Sequence, residues 1–209
     1  MQKVRKLLVI TIGMLMFSVV LSLTVHAATL SYWYSDKDVI GKWETSPSVW
    51  YKKIDQSAAF SFLSGLIHGA DIWNAALGTS VTVSSSNSSA PIKYYGGTKE
   101  QLDALNLFDP VATDDLGCTE YTDTSYKGTH TFNGVKKSWY LHKKITGYVV
   151  SRTDMNANNY TKTASHEMGH AMGWRGHPST DHPTWVMEQG ILENKTLSTG
   201  EKKHLSQIY

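Results

Sequence analysis

Residues 163 to 177 read Thr163-Ala164-Ser165-His166-Glu167-Met168-Gly169-His170-Ala171-Met172-Gly173-Trp174-Arg175-Gly176-His177. On a helix, positions i and i+4 stand one above the other on one face. His166 and His170 can therefore offer two imidazole nitrogens to one zinc ion. Glu167 lies one step round from His166, close to the metal but not needed as a ligand, where a general base can take a proton from water. Ala164, Ala171 and Met172 flank the pair with small or apolar side chains, as expected of a helix packed inside a domain rather than a surface helix with two solvated histidines. Gly173 follows His170 by three residues, in the position that closes a helix and lets the chain turn back. His177 comes next and is a third candidate ligand, since three protein ligands leave one position of a catalytic zinc site open.

Outward from this stretch the periodicity gives the rest of the domain. The helix carrying the histidines should begin between Tyr160 and Thr163. A last helix should begin at Ser198, because Ser198-Thr199-Gly200-Glu201 fits a capping box. Upstream, residues 57 to 77 place Phe60, Leu63, Ile67, Ala70 and Trp73 at helical spacing, and Gly78 ends that helix. His68 within it has no partner nearby in sequence and reads as a packed or surface residue. Ser48 to Ile54, Val81 to Val83 and Ile92 to Tyr95 read as strands, with the serine-rich 84–89 stretch as a loop. Residues 98 to 135, rich in Thr, Asp and Gly, read as irregular. Ser138 to Ile145 and Tyr148 to Arg152 read as two strands joined at Thr146-Gly147. The order predicts a single α+β domain.

The chain has 209 residues, enough for one compact domain with a real core. Its formal charge is +2, and Lys3, Arg5 and Lys6 supply three positive charges, so the remainder carries −1 and gives no electrostatic reason to bind nucleic acid. Those three residues open a basic–apolar–small pattern that ends at Val25-His26-Ala27. It reads as a signal peptide over residues 1–27, followed by a secreted domain over 28–209. Membrane attachment follows only if this segment stays uncleaved. The lone Cys118 excludes an internal disulfide and reads as a small packed residue.

The 163–190 stretch resembles the metzincins, and most nearly the matrixin-like metallopeptidases, whose pattern is HExxHxxGxxH followed by a methionine-containing turn. His166, Glu167, His170 and Gly173 match in place, and Thr184-Trp185-Val186-Met187-Glu188-Gln189-Gly190 looks like the turn, with Met187 under the metal. The resemblance implies a zincin domain with a twisted mixed β-sheet, a long N-terminal helix, an active-site helix and a C-terminal helix. It implies a monomeric zinc endopeptidase acting on protein or peptide, with Glu167 as general base and His166, His170 and His177 as ligands. An extended substrate would lie along an exposed sheet edge.

One departure matters. The pattern puts its third histidine at position 176, which is Gly here, and His177 comes one residue late. A bulged loop can absorb the extra residue, and Gly176 can take unusual backbone angles. His182 and Asp181 are the other candidates for this ligand, and Glu188 or Glu193 would serve if the chain were instead a gluzincin-type peptidase. Calcium is a second candidate cofactor: Asp154, Asn156 and Asn158 offer oxygens at alternate positions, but without the glycine and closing glutamate of a calcium loop. The rival from another class is a secreted zinc-binding adhesion or interaction domain without catalysis.

Overall fold

The computed structural model describes residues 33–132 and 135–209, so the predicted leader lies outside the described residues. The chain folds as a mixed α+β structure with a mostly parallel six-stranded sheet and, among the described residues, four helices. The elements are β1 (Val39–Lys42), β2 (Ser48–Lys53), α1 (Phe62–Leu77), β3 (Thr82–Ser84), β4 (Ile92–Gly97), α2 (Lys99–Asp103), β5 (Gly117–Phe132), β6 (Val135–Val150), α3 (Ala157–Met172) and α4 (Thr199–Ser206). No described helix is long and apolar enough to cross a membrane.

Strand β6 organises the sheet. One of its edges pairs in parallel with β1 over Ser138–Leu141 and with β4 over Ile145–Val150. β5 runs antiparallel along it, from Gly117 opposite Val149 to Thr131 opposite Lys136. β2 and β3 extend the sheet beyond β4. Among the described residues β5 is thus an edge strand, and it carries register shifts near Asp123 and Gly128, irregularities of the kind that bend a strand.

Helix α1 lays Phe62, Leu66, Ala70 and Trp73 into the core. Gly65 and Gly69 lie one turn apart on it, and a Cβ at either would stand 2.9 Å from α3, at Ala164 or Ser165, so the two helices touch almost backbone to backbone. Gly78 takes the left-handed conformation that ends α1, as expected.

Two expectations about the sheet need correction, and one strand was not foreseen. The 98–135 region is not irregular: Thr98 caps the short α2 through a capping box, and Gly117–Phe132 form the longest strand together with β6. The segment from 138 to 150 is one strand, not two. Thr146-Gly147 makes no turn; Gly147 pairs with Thr119, and its missing side chain admits the Tyr94 ring, whose Cε1 is 2.4 Å from where a Cβ would be. Finally, β1 had no periodicity to mark it, being four residues long.

Candidate metal centre

Helix α3 begins at Ala157, earlier than the Tyr160–Thr163 start expected, because the Asn156 side chain caps it by accepting from the Asn158 and Asn159 main-chain N–H groups in a capping box, and it closes at Gly173. Twelve of its sixteen residues are buried. Its carbonyls are taken up by side chains from the surrounding elements. Trp73 Nε1 donates to the Ser165 carbonyl at 3.0 Å, Tyr94 to that of Glu167 at 2.7 Å, Tyr121 to that of His170 at 2.8 Å, Trp43 Nε1 to that of Ala171 at 2.8 Å and Tyr209 to that of Met172 at 2.7 Å. The Ala171 and Met172 carbonyls lie in the last turn, where a helix offers no internal partner, and aromatic donors from α1, β4, β5 and both ends of the domain serve these and the three earlier carbonyls. The helix is thereby fixed in rotation as well as position.

His166 and His170 project from one face, as their spacing predicts. His166 Nδ1 lies 2.9 Å from the Val186 carbonyl and His170 Nδ1 2.5 Å from that of Trp174. Each Nδ1 therefore carries its ring's proton, and each Nε2 presents a lone pair. The two Nε2 atoms are 3.0 Å apart. Burial holds both rings neutral, His166 well below the ordinary imidazole value and His170 down to about 4. Two neutral rings in this tautomer cannot hydrogen-bond to each other, so their lone pairs oppose unless a cation lies between them. Two nitrogens at about 2.0–2.1 Å from a tetrahedral zinc stand about 3.3 Å apart, close to the spacing found.

His177 completes the group. Its ring centroid is 5.3 Å from that of His166 and 5.1 Å from that of His170. The ligating atoms of the three all lie within 4.8 Å of one another, so they could hold a metal ion. The extra residue before His177 is accommodated by two glycines at positive φ, Gly173 at 122° and Gly176 at 87°. Gly41 O crowds the space a Cβ on Gly173 would fill, and Asp36 Oδ1 that of Gly176. A side chain at either position would be strained and obstructed.

What holds His177 was not legible in the sequence. Residues 34–36 run antiparallel to the 177–179 segment: Asp36 N–H donates to the His177 carbonyl at 2.8 Å and Ser179 N–H to that of Tyr34 at 2.6 Å. Asp36 Oδ1 also accepts from the His177 N–H at 3.0 Å, and Ser35 Oγ donates to the Arg175 carbonyl. Tyr34 N–H in turn donates to His204 Nδ1 at 2.9 Å. Short polar side chains in a nonperiodic stretch give no sequence signal for such a clamp.

Met187 lies under α3, with its sulfur where a Cβ on Gly169 would be. Its N–H donates at 2.8 Å to Glu201 Oε1, while Glu201 Oε2 accepts from Ser198 N–H at 2.8 Å in the predicted capping box. The buried Glu201 thus joins the methionine turn to α4.

Glu167 is buried beside the histidines, and Thr119 Oγ1 of β5 is 2.7 Å from its Oε2 as donor. β5 passes so close that a Cβ on Gly117 would be 2.9 Å from Glu167 Oε1. Burial pushes the metal-free Glu167 carboxyl up to about 7, against the opposing effects of Thr119 and Lys162. The cavity over this face, about 440 Å³, is lined by the three histidines, Glu167, Thr119 and Lys162 among others.

The other candidates lie elsewhere. His182 stacks on Trp185 at 3.8 Å and bonds Thr180. Glu188 accepts from the His182 and Gln189 N–H groups, and Glu193 from Asn156 Nδ2. Asp181 is exposed and outside the cluster. Asn156 is used as a helix cap, Asn158 accepts from Lys195 and Asp154 pairs with Arg152 at 2.8 Å, so the three oxygens do not form a calcium loop. His68 bonds the Lys195 carbonyl at 2.7 Å, and Cys118 is half-buried with its thiol pushed up to about 12 by burial. No protein-family model matches the chain, and comparison with the curated proteins finds no match.

Proposed function

We propose that this chain is a secreted, zinc-dependent endopeptidase of the metzincin type, matrixin-like in its site. The observation that carries the reading is the convergence of His166, His170 and His177 beside a buried, Thr119-braced Glu167 at the wall of an open cavity. His166, His170 and His177 would hold the ion, which when bound polarises a carbonyl and makes water easier to deprotonate.

The remaining steps belong to the chain's own residues. Thr119 Oγ1 occupies Glu167 Oε2, which leaves Oε1 as the oxygen that takes a proton from water. Glu167 then returns that proton to the leaving amine. The unpaired edge of β5 beside Gly117 to Thr119 offers main-chain donors and acceptors to an extended peptide. A purely structural zinc site normally uses four protein ligands and has no use for a base, so an intact Glu167 favours catalysis over a silent binding domain.

Denatured casein, incubated with the purified protein with and without chelator, is the first test, and the Glu167→Ala variant is the second. Hydrolysis should need the metal. Glu167→Ala should lose at least about a hundredfold in turnover while metal analysis of the same sample shows the ion retained. Turnover within a few-fold of the parent would remove Glu167 from the mechanism.

A further inference from the structure

Lys162 lies one turn before His166 on the same face of α3. It is 2 % exposed and lines the cavity together with the histidines, Thr163, Gln189 and Gly190. A lysine in this position is costly, since an ammonium leaves water only where its charge is answered. Its Nζ donates to the Glu188 main-chain carbonyl. No described carboxylate comes within 4.0 Å of it to form an ion pair.

The acidic groups nearest in effect, Glu167, Glu188 and Glu201, are all engaged by other donors. Glu201 uses both oxygens on main-chain N–H groups, Glu188 uses both on His182 and Gln189, and Glu167 is held by Thr119. An ammonium has three protons to donate, and one is committed here. Lys162 thus lines the cavity with no described carboxylate within 4.0 Å, one turn along the helix from the proposed metal ligands.

We propose that Lys162 is a specificity-determining residue that receives a carboxylate of the substrate, supplied by an Asp or Glu side chain near the cleaved bond or by the end of the peptide. This rests on the endopeptidase reading of the same cavity. Burial lowers the lysine to about 8, against the opposing effects of Glu167, Glu188 and Glu201. A compact ammonium suits one carboxylate oxygen without the planar fork that arginine would require.

The test uses short peptides blocked at both ends that differ only in Glu against Gln at successive positions. A second set carries a free acid or an amide at the C-terminus. Cleavage by the native metal-loaded protein is followed by mass spectrometry, and binding to the Glu167→Ala protein by calorimetry. At one position, or at the free terminus, the carboxylate form should be favoured roughly ten- to a hundredfold, the usual worth of a buried hydrogen bond to a charged group. Lys162→Met should bring that ratio close to one, and Lys162→Arg should keep part of it. A ratio near one in the native protein, in both cleavage and binding, overturns the assignment, as does an undiminished ratio in Lys162→Met. If Lys162→Met does not fold, the native Glu/Gln and acid/amide ratios decide. A protein that binds the acidic peptides preferentially but cleaves none would sink the endopeptidase reading and leave Lys162 as a carboxylate site.

Discussion

Helix α3 and strand β5 are each sixteen residues long and flank the same cavity, yet twelve residues of α3 are buried, whereas none of the β5 residues Gly117 to Thr131 is. The helix is enclosed by α1, the sheet and the 185–188 turn, and its carbonyls are tied to side chains all round. Among the described residues the strand is paired on one edge only, with register shifts along it. A site that must hold an ion needs ligands that cannot move, while a cleft that must receive varied chains needs donors and acceptors left free. On the proposed reading, the two elements divide those demands. Thr119 and Gly117 are where they meet, since both contribute to placing Glu167.

The contrast is tested most severely at His177, the one proposed ligand not on α3. Its loop is fixed by main-chain bonds to residues 34–36 rather than by burial. Were the helix alone sufficient, replacing His177 would be mild. We expect His177→Ala to lose its metal under mild chelation, with affinity reduced at least about a hundredfold, and His182→Ala to retain it. Metal content after dialysis against a weak chelator measures both. Retention in the first variant and loss in the second would make the 174–182 loop a different structure from the one described.

The same difference decided what could be read from the sequence. α3 was legible because its spacing, its small flanking residues and its closing glycine all agree, and because i and i+4 on a helix are neighbours without further information. The long α1 and the Ser198 cap were legible for similar local reasons, although α1 starts at Phe62 rather than near residue 57 and buries Leu66 while Ile67, placed on its apolar face, is exposed. β5 was not. A solvated edge strand has no alternation of apolar residues to betray it, and its Thr and Tyr content is its one β signal, diluted by Asp123 and Gly128. Gly147 misled because glycine usually marks a turn, whereas here it makes room for a ring from the next strand. The clamp on His177, Thr119 on Glu167 and the buried charge of Lys162 all depend on pairings between distant residues, for which a single sequence offers no pattern.

Acid should act on neither element directly but on the packing around them, at β6 and α4. His142 is buried with no partner for either ring nitrogen among the described residues, and His204 is stacked on Trp174 at 3.7 Å with Nδ1 accepting from the Tyr34 N–H. Burial pushes each down to about 3, helped by Arg175 at His142 and by Lys137 at His204. Above the unfolded histidine value of about 6.5 both states are neutral and nothing is gained or lost. As pH falls below 6.5, the unfolded chain takes up protons that the folded chain refuses, so stability drops progressively towards pH 3. Urea unfolding of the metal-free protein between pH 6.5 and 5, above most carboxylate titration, should show this slope. His142→Phe should reduce it, and an unchanged slope would mean that His142 is not held neutral.

The smallest effect should come from β5 itself. Tyr126 is 57 % exposed and lies opposite Tyr140, with ring centroids 5.4 Å apart and the planes at 63°. Tyr140 also faces Arg175, whose guanidinium carbon is 3.9 Å from the Tyr121 ring and 5.2 Å from that of Tyr140, so the inner member of the pair has other support. Tyr126→Ser removes one cross-strand aromatic contact and little buried surface. Such a pair is worth about 0.5–1 kcal/mol, against about 3–5 kcal/mol for truncating a fully buried aromatic such as Trp73 on the α3 side. Denaturant midpoints of the two variants give the ratio directly. A Tyr126→Ser cost close to that of Trp73→Ala would show that the strand is held by packing and not by its ladder with β6, and β5 would then be too rigid an edge to fit chains of different sequence.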